Sequence, residues 1–212
     1  MVSFIANNDP RRLEMAAFAI GGQGDLLVLA IDFDNELWAI AKNAKEPMMA
    51  RIRMQYYIDE VERIKTNGKP TIPIGDFFIK LKSLEQIENL IWAHIEKIDN
   101  PNKNQANEKI WENYFNLAQE ISIQKIDFDI SKICAQIING ANLGDFTLYG
   151  KNVKNLNSKL YGFSKDLRQK LLPAIGFVKL CRRQTLYENI IEKRLGLRAK
   201  LALFGSVLFS KI

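Results

Sequence analysis

Asp32 and Glu36 stand one helical turn apart, so their carboxylates share a helix face and could grip one divalent cation. The competing arrangement is a carboxylate paired with a neighbouring helix, the commoner fate of such an acid pair. Further on, Arg53, Tyr56, Tyr57 and Glu60 fall at i, i+3, i+4 and i+7. A charged pair flanked by two aromatics on one helix side suits either of two roles. Arg53 enters the interior and binds Glu36 through a bidentate ion pair, or the face is what remains of a ligand pocket. The run Ile31-Asp32-Phe33-Asp34 recurs as Ile126-Asp127-Phe128-Asp129. It reads as two facing acidic motifs, or, in its second copy, as a helix N-cap at Asp129. His94 is the only histidine, which removes Ser-His-Asp triads, Cys-His dyads and His-rich metal sites and leaves a half-buried ring on a helix face. Cys134 and Cys181 sit in apolar helical contexts and read as buried free thiols of a reducing compartment.

The elements that position these groups are all helical. Asp9-Pro10 is a capped start for a first helix ending near Gly21-Gly22. A second helix runs over about 25–45, with Leu26, Leu29, Ala30, Phe33, Leu37, Ile40 and Ala41 on one stripe and Leu27, Ile31 and Trp38 on another. Apolar on two faces, it belongs in the middle of a bundle. Pro47 opens a third helix that stops at Asn67-Gly68, with Met54, Tyr57, Ile58, Val61 and Ile64 on one face. A proline-containing loop over 69–75 precedes a short helix over 76–82. Ser83 and Gln86 have capping-box spacing for a helix to about Ile98. Further helices are expected over 108–124, 130–141, 158–180 with a break at Pro173, 184–195 and 197–211, and a polar surface loop over 142–157. Asp145 falls in that loop.

The chain has 212 residues, is 47% hydrophobic and 25% charged, and so fits one globular domain over 1–212. Its net charge of +6 suits either a heavy use of exposed Lys or a basic face for anionic lipid, diphosphate or nucleic acid. No nucleic-acid motif is present, which argues against a nucleic-acid partner. No apolar run reaches the length of a membrane span, and the N-terminus lacks the form of a signal peptide. The expected location is therefore the bacterial cytoplasm or an organelle matrix. Residues 193–212 mix basic and apolar side chains and read either as a core helix with basic ends or as a peripheral contact with an anionic inner membrane.

The run Phe33-Asp34-Asn35-Glu36, then Glu46-Pro47, then Ile52-Arg53-Met54-Gln55-Tyr56-Tyr57, resembles the signature of the squalene/phytoene synthase family. Asp9, Arg12 and the stretch Leu171-Leu172-Pro173-Ala174 are similar to the family at matching places. The resemblance covers about 9–65 and continues collinearly beyond. It implies a shortened, single-domain helical bundle of the class I isoprenoid synthase type. Glu36, Arg53, Gln55, Tyr56, Tyr57 and Glu60 are then the family-motif or pocket positions. Active members hold Mg²⁺ on two acidic clusters that grip a prenyl diphosphate. Here the matching stretches are Ala41-Lys42-Asn43-Ala44-Lys45 and Gln136-Ile137-Ile138-Asn139, neither with an acid. The resemblance therefore implies a non-catalytic protein, similar to the respiratory complex I assembly-factor branch, with a respiratory-complex subunit or another protein as partner and no cofactor. The alternatives are a divergent Mg²⁺-dependent prenyltransferase using acids such as Asp32, Glu36 and Asp145, or an isoprenoid- or lipid-binding protein.

Overall fold

A computed structural model describes residues 12, 16–19, 23–44, 46–81, 83–101, 104–142, 145–176 and 178. Its elements are α1 (Gln23–Asn43), α2 (Pro47–Asn67), α3 (Gly75–Phe78), α4 (Glu85–Asp99), α5 (Asn104–Ile123), α6 (Phe128–Asn142), α7 (Phe146–Tyr161) and α8 (Lys165–Ile175). Among the described residues there is no strand, so the all-α expectation holds. The isoprenoid synthase type is a finer matter, taken up below.

Helix α5 is the hub. It packs against α1, α4, α6 and α8, while α2 lies on α1 and α4, and α7 lies on α6. One contiguous apolar core runs from Leu27 on α1 to Ile175 on α8. Phe33 sits at its α1–α2 end, fully buried. Its ring meets Tyr57 and Phe78 edge-on, at centroid distances of 5.4 and 5.1 Å.

Local chemistry sets the α1–α2 hairpin. Asp25 in the first turn and Lys42 in the last turn of α1 complement the helix dipole. Pro47 opens α2, where a missing N–H costs nothing. Gly68 closes it at φ 66°, the left-handed conformation that suits glycine, and donates its N–H to Ile64 O at 2.8 Å.

The structure departs from several sequence expectations. The short helix is Gly75–Phe78 rather than 76–82. The Ser83–Gln86 capping box does not form: Ser83 Oγ accepts from the Glu85 N–H, the N-cap position is Leu84, and Gln86 is buried. The cap of α6 is Asp127, which accepts from the Ile130 N–H, because the helix begins earlier than 130. The largest correction is the loop expected over 142–157, most of which is α7. Asp145 is its N-cap, accepting from the Leu148 N–H at 2.9 Å. Tyr149, Asn152, Leu156 and Leu160 make its buried face, a helical repeat that interspersed Asn, Gly and Lys conceal. The helix expected over 158–180 instead breaks at 162–164, where Ser164 caps α8, and Pro173 lies inside α8. Most of the expected first helix, Cys181, the helices over 184–195 and 197–211 and the segment 193–212 lie outside the described residues.

Candidate functional site

The charged centre of the molecule is assembled from four parts of the chain. Asp34 projects from α1 into the core among Leu27, Ala30, Ile31 and Leu37, all buried. There it meets Arg12, whose Nη1 donates to Asp34 Oδ2 at 2.7 Å, and His94 of α4, whose Nε2 lies 3.0 Å from Asp34 Oδ1. A carboxylate can only accept, so the imidazole proton of this contact is on Nε2. Arg12 Nη2 also donates to Asn35 Oδ1 at 2.8 Å. The Arg12 guanidinium lies 5.2 Å from the Trp111 ring centroid and 4.8 Å from that of Tyr114, both on α5. Trp38 stands edge-on to His94 at 5.0 Å.

Side-chain exposure is 3% for Arg12 and 0% for both Asp34 and His94, so this cluster is sealed from any substrate. Burial by itself would raise the Asp34 pKa. The Arg12 charge and the His94 hydrogen bond outweigh it and hold the carboxyl below its ordinary value. The arrangement is an internal clamp between the segment at Arg12 and helices α1, α4 and α5. His94 is therefore fully buried rather than half-buried.

The candidates singled out from sequence separate into two groups. Glu36 is exposed and accepts a hydrogen bond from the Tyr57 hydroxyl. Burial, then the Glu36 contact, raises the Tyr57 pKa. Arg53 does not enter the bundle: it is exposed and has no acid partner among the described residues. The expected Arg53–Glu36 pair is thus replaced by Tyr57–Glu36: Tyr57, one turn further along the same side of α2, is buried, whereas Arg53 is exposed. Gln55 is exposed and donates to Asp59 at 2.9 Å, and Tyr56 is 52% exposed. Arg53→Ala should therefore change stability by no more than about 0.5 kcal/mol, and Tyr57→Phe should cost about 1 kcal/mol. Urea unfolding of both variants checks this, and a larger loss from Arg53→Ala would restore the ion pair.

Glu60 is buried and holds a loop. It accepts from the Thr71 N–H and hydroxyl, from the Ile72 N–H and from Arg63. Gly75 completes the fit, since a Cβ there would meet Pro70 and the Glu60 carboxylate.

Asp32 is the one candidate with a raised carboxyl, pushed to about 6 by burial and then by the neighbouring Glu36 charge. No third His, Cys, Asp or Glu joins the pair in a metal-sized cluster among the described residues. With one Glu36 oxygen occupied by Tyr57, the pair does not fit a diphosphate-bearing Mg²⁺ clamp. Lys42 and Asn43 are exposed at the end of α1. On α6, Ile137 and Ile138 are buried, and Asn139 reaches towards Glu108 at 3.5 Å. Asp145 is spent as a helix cap.

A shallow groove of about 220 Å³ crosses α2 and α4, lined by Arg51, Ile52, Gln55, Trp92 and Ile95. It is smaller than the roughly 300–1,000 Å³ of sites that enclose organic ligands. Beside it Met48, Met49, Ile52 and Tyr56 of α2 and Trp92 of α4 expose apolar surface. Among the described residues, no helix is long and apolar enough to cross a membrane.

Sequence reasoning passed over the Arg12–Asp34–His94 cluster, although two signals were present. Asp34 interrupts the apolar stripe of α1, and His94 continues the apolar face Ile87, Leu90 and Ile91 of α4. No family model, curated protein or solved structure matches this chain.

Proposed function

We infer that this chain is a non-catalytic protein of the squalene/phytoene synthase type that acts by protein interaction, in assembly near a membrane respiratory complex. One observation carries the non-catalytic part. Three acids of the signature helices are engaged in contacts within the protein: Asp34 by Arg12 and His94, Glu36 by Tyr57, and Glu60 by Thr71, Ile72 and Arg63. Chemistry on a prenyl diphosphate needs such groups turned to a cavity. The exposed Met48, Met49, Ile52, Tyr56 and Trp92 supply the apolar surface that an interaction protein needs. The respiratory setting rests on the signature resemblance.

The test is diphosphate release from farnesyl and geranylgeranyl diphosphate with Mg²⁺, by the folded protein and by Glu36→Gln. No release is expected from either. Release that Glu36→Gln abolishes would overturn this reading in favour of a divergent prenyltransferase. That second reading draws its support from Asp32, whose carboxyl, raised to about 6 by burial and by Glu36, is perturbed as functional carboxylates often are.

A further inference from the structure

The charge of this chain is divided unevenly along it. Residues 146–212 carry 14 Lys and Arg against 3 Asp and Glu, whereas residues 1–145 carry 16 against 21. The sequence is therefore divided in charge, with an acidic 1–145 and a basic 146–212. The described part of that basic stretch is α7, which lies on α6, and α8, which lies on α5.

Helical spacing gathers the charge on one side. Lys151, Lys154, Ser158 and Tyr161 of α7 fall at i, i+3, i+7 and i+10, on the face opposite the buried Asn152, Leu156 and Leu160. Arg168 of α8 stands over the Tyr161 ring at 5.9 Å from its centroid, and the exposed Lys165 opens α8. Two neighbouring cations are matched by local acids, Lys159 by Asp129 at 2.6 Å and Lys170 by Asp166 at 2.8 Å. Lys151, Lys154, Lys165 and Arg168 have no acid partner among the described residues. Exposed rings accompany them: Tyr161 is 64% exposed, and Phe128 is 60% exposed at the start of α6, next to the Asp129 that Lys159 grips.

We propose that this α7–α8 face is a docking surface for an anionic lipid bilayer. Four unmatched cations on α7 and α8 suit a diffuse sheet of negative headgroups, to which each Lys or Arg adds attraction. Tyr161 and Phe128 have the apolar body that settles at a headgroup boundary. The net-negative remainder of the sequence is repelled by the same headgroups. A nucleic acid would meet the same cations, and binding to a duplex is the outcome that separates the two. The proposal does not depend on the assembly role or on the absence of catalysis.

The experiment is co-sedimentation of the full chain with vesicles of phosphatidylcholine alone and of phosphatidylcholine with phosphatidylglycerol. Two variants of equal charge change are compared, Lys151→Gln/Lys154→Gln on the face and Lys69→Gln/Lys80→Gln away from it, with circular dichroism confirming that both fold. Wild type is expected to bind the anionic vesicles only, more weakly as salt rises. The face variant should bind about 30-fold more weakly, from the roughly fivefold each surface cation contributes. The remote variant should stay within about twofold of wild type by the same measure. Absent binding, equal binding to neutral vesicles, equal losses from both variants, or tighter lysine-dependent binding to a DNA duplex would each overturn the proposal.

Discussion

Replacing Asp34 with alanine is expected to destabilise this protein by about 3–5 kcal/mol, the loss typical of breaking a buried ion pair from one side. The cost comes from what remains: Arg12 keeps a charge at 3% exposure, and His94 keeps a proton donor at 0% exposure with no carboxylate to accept it. At roughly 2–4 °C per kcal/mol for a chain of this size, the melting temperature should fall by about 10 °C. Asp34→Asn should cost less, since its amide oxygen still accepts one hydrogen bond. The effect is also pH-dependent with a defined sign. Burial raises the Asp34 pKa, but Arg12 and His94 together hold it below its unfolded value. Its stabilisation is therefore full above the unfolded value near 4 and is lost as pH falls through the lower folded value. Urea titrations at neutral pH and below about pH 4 should show the gap between wild type and Asp34→Ala narrowing only in acid. A gap under about 1 kcal/mol at neutral pH would mean that the cluster is not the clamp described here.

Glu60→Ala is the second large effect, at about 2–3 kcal/mol, because it removes the buried carboxylate to which the Thr71 and Ile72 amides and the Thr71 hydroxyl of the loop donate. Burial raises the Glu60 pKa, but its donors from Thr71 and Ile72 and the Arg63 charge bring it below its ordinary value. Its contribution is thus likewise present above the unfolded value near 4.3 and lost in acid. The loss should be concentrated locally. Amide exchange at Thr71 and Ile72 should accelerate well beyond that of α5. Uniform acceleration across α5 and the loop would instead place Glu60 in the global core. Neither substitution touches the α7–α8 face, so vesicle binding by the folded variants should be unchanged.

Much of the helical frame was legible in the sequence because the signals are local. Pro47 and Gly68 bound α2 as their backbone preferences dictate, and its apolar stripe is the buried face observed, whereas Leu26, Leu29, Trp38 and Ala41 of the α1 stripes are only half-buried. α7 was hidden because Asn, Gly and Lys dominate its composition. The cap at Asp145 and the spacing of Tyr149, Leu156 and Leu160 were the signals that outweighed it. The candidate site was legible in its residues and not in its pairings. Glu36, Tyr57 and Glu60 are engaged within the fold, whereas Arg53, Gln55 and Tyr56 face outward.

By itself the sequence determined an all-helical chain, the α1–α2 hairpin with its proline start and glycine stop, and the uneven distribution of charge, since each follows from local propensity or from counting. Only the tertiary structure decided that Asp34 meets Arg12 and His94, that Tyr57 and not Arg53 reaches Glu36, and that Glu60 fastens a loop. Helical periodicity states which side of a helix a residue occupies, but the partner it meets there depends on how neighbouring helices are rotated and packed, and core packing over the whole bundle sets that rotation.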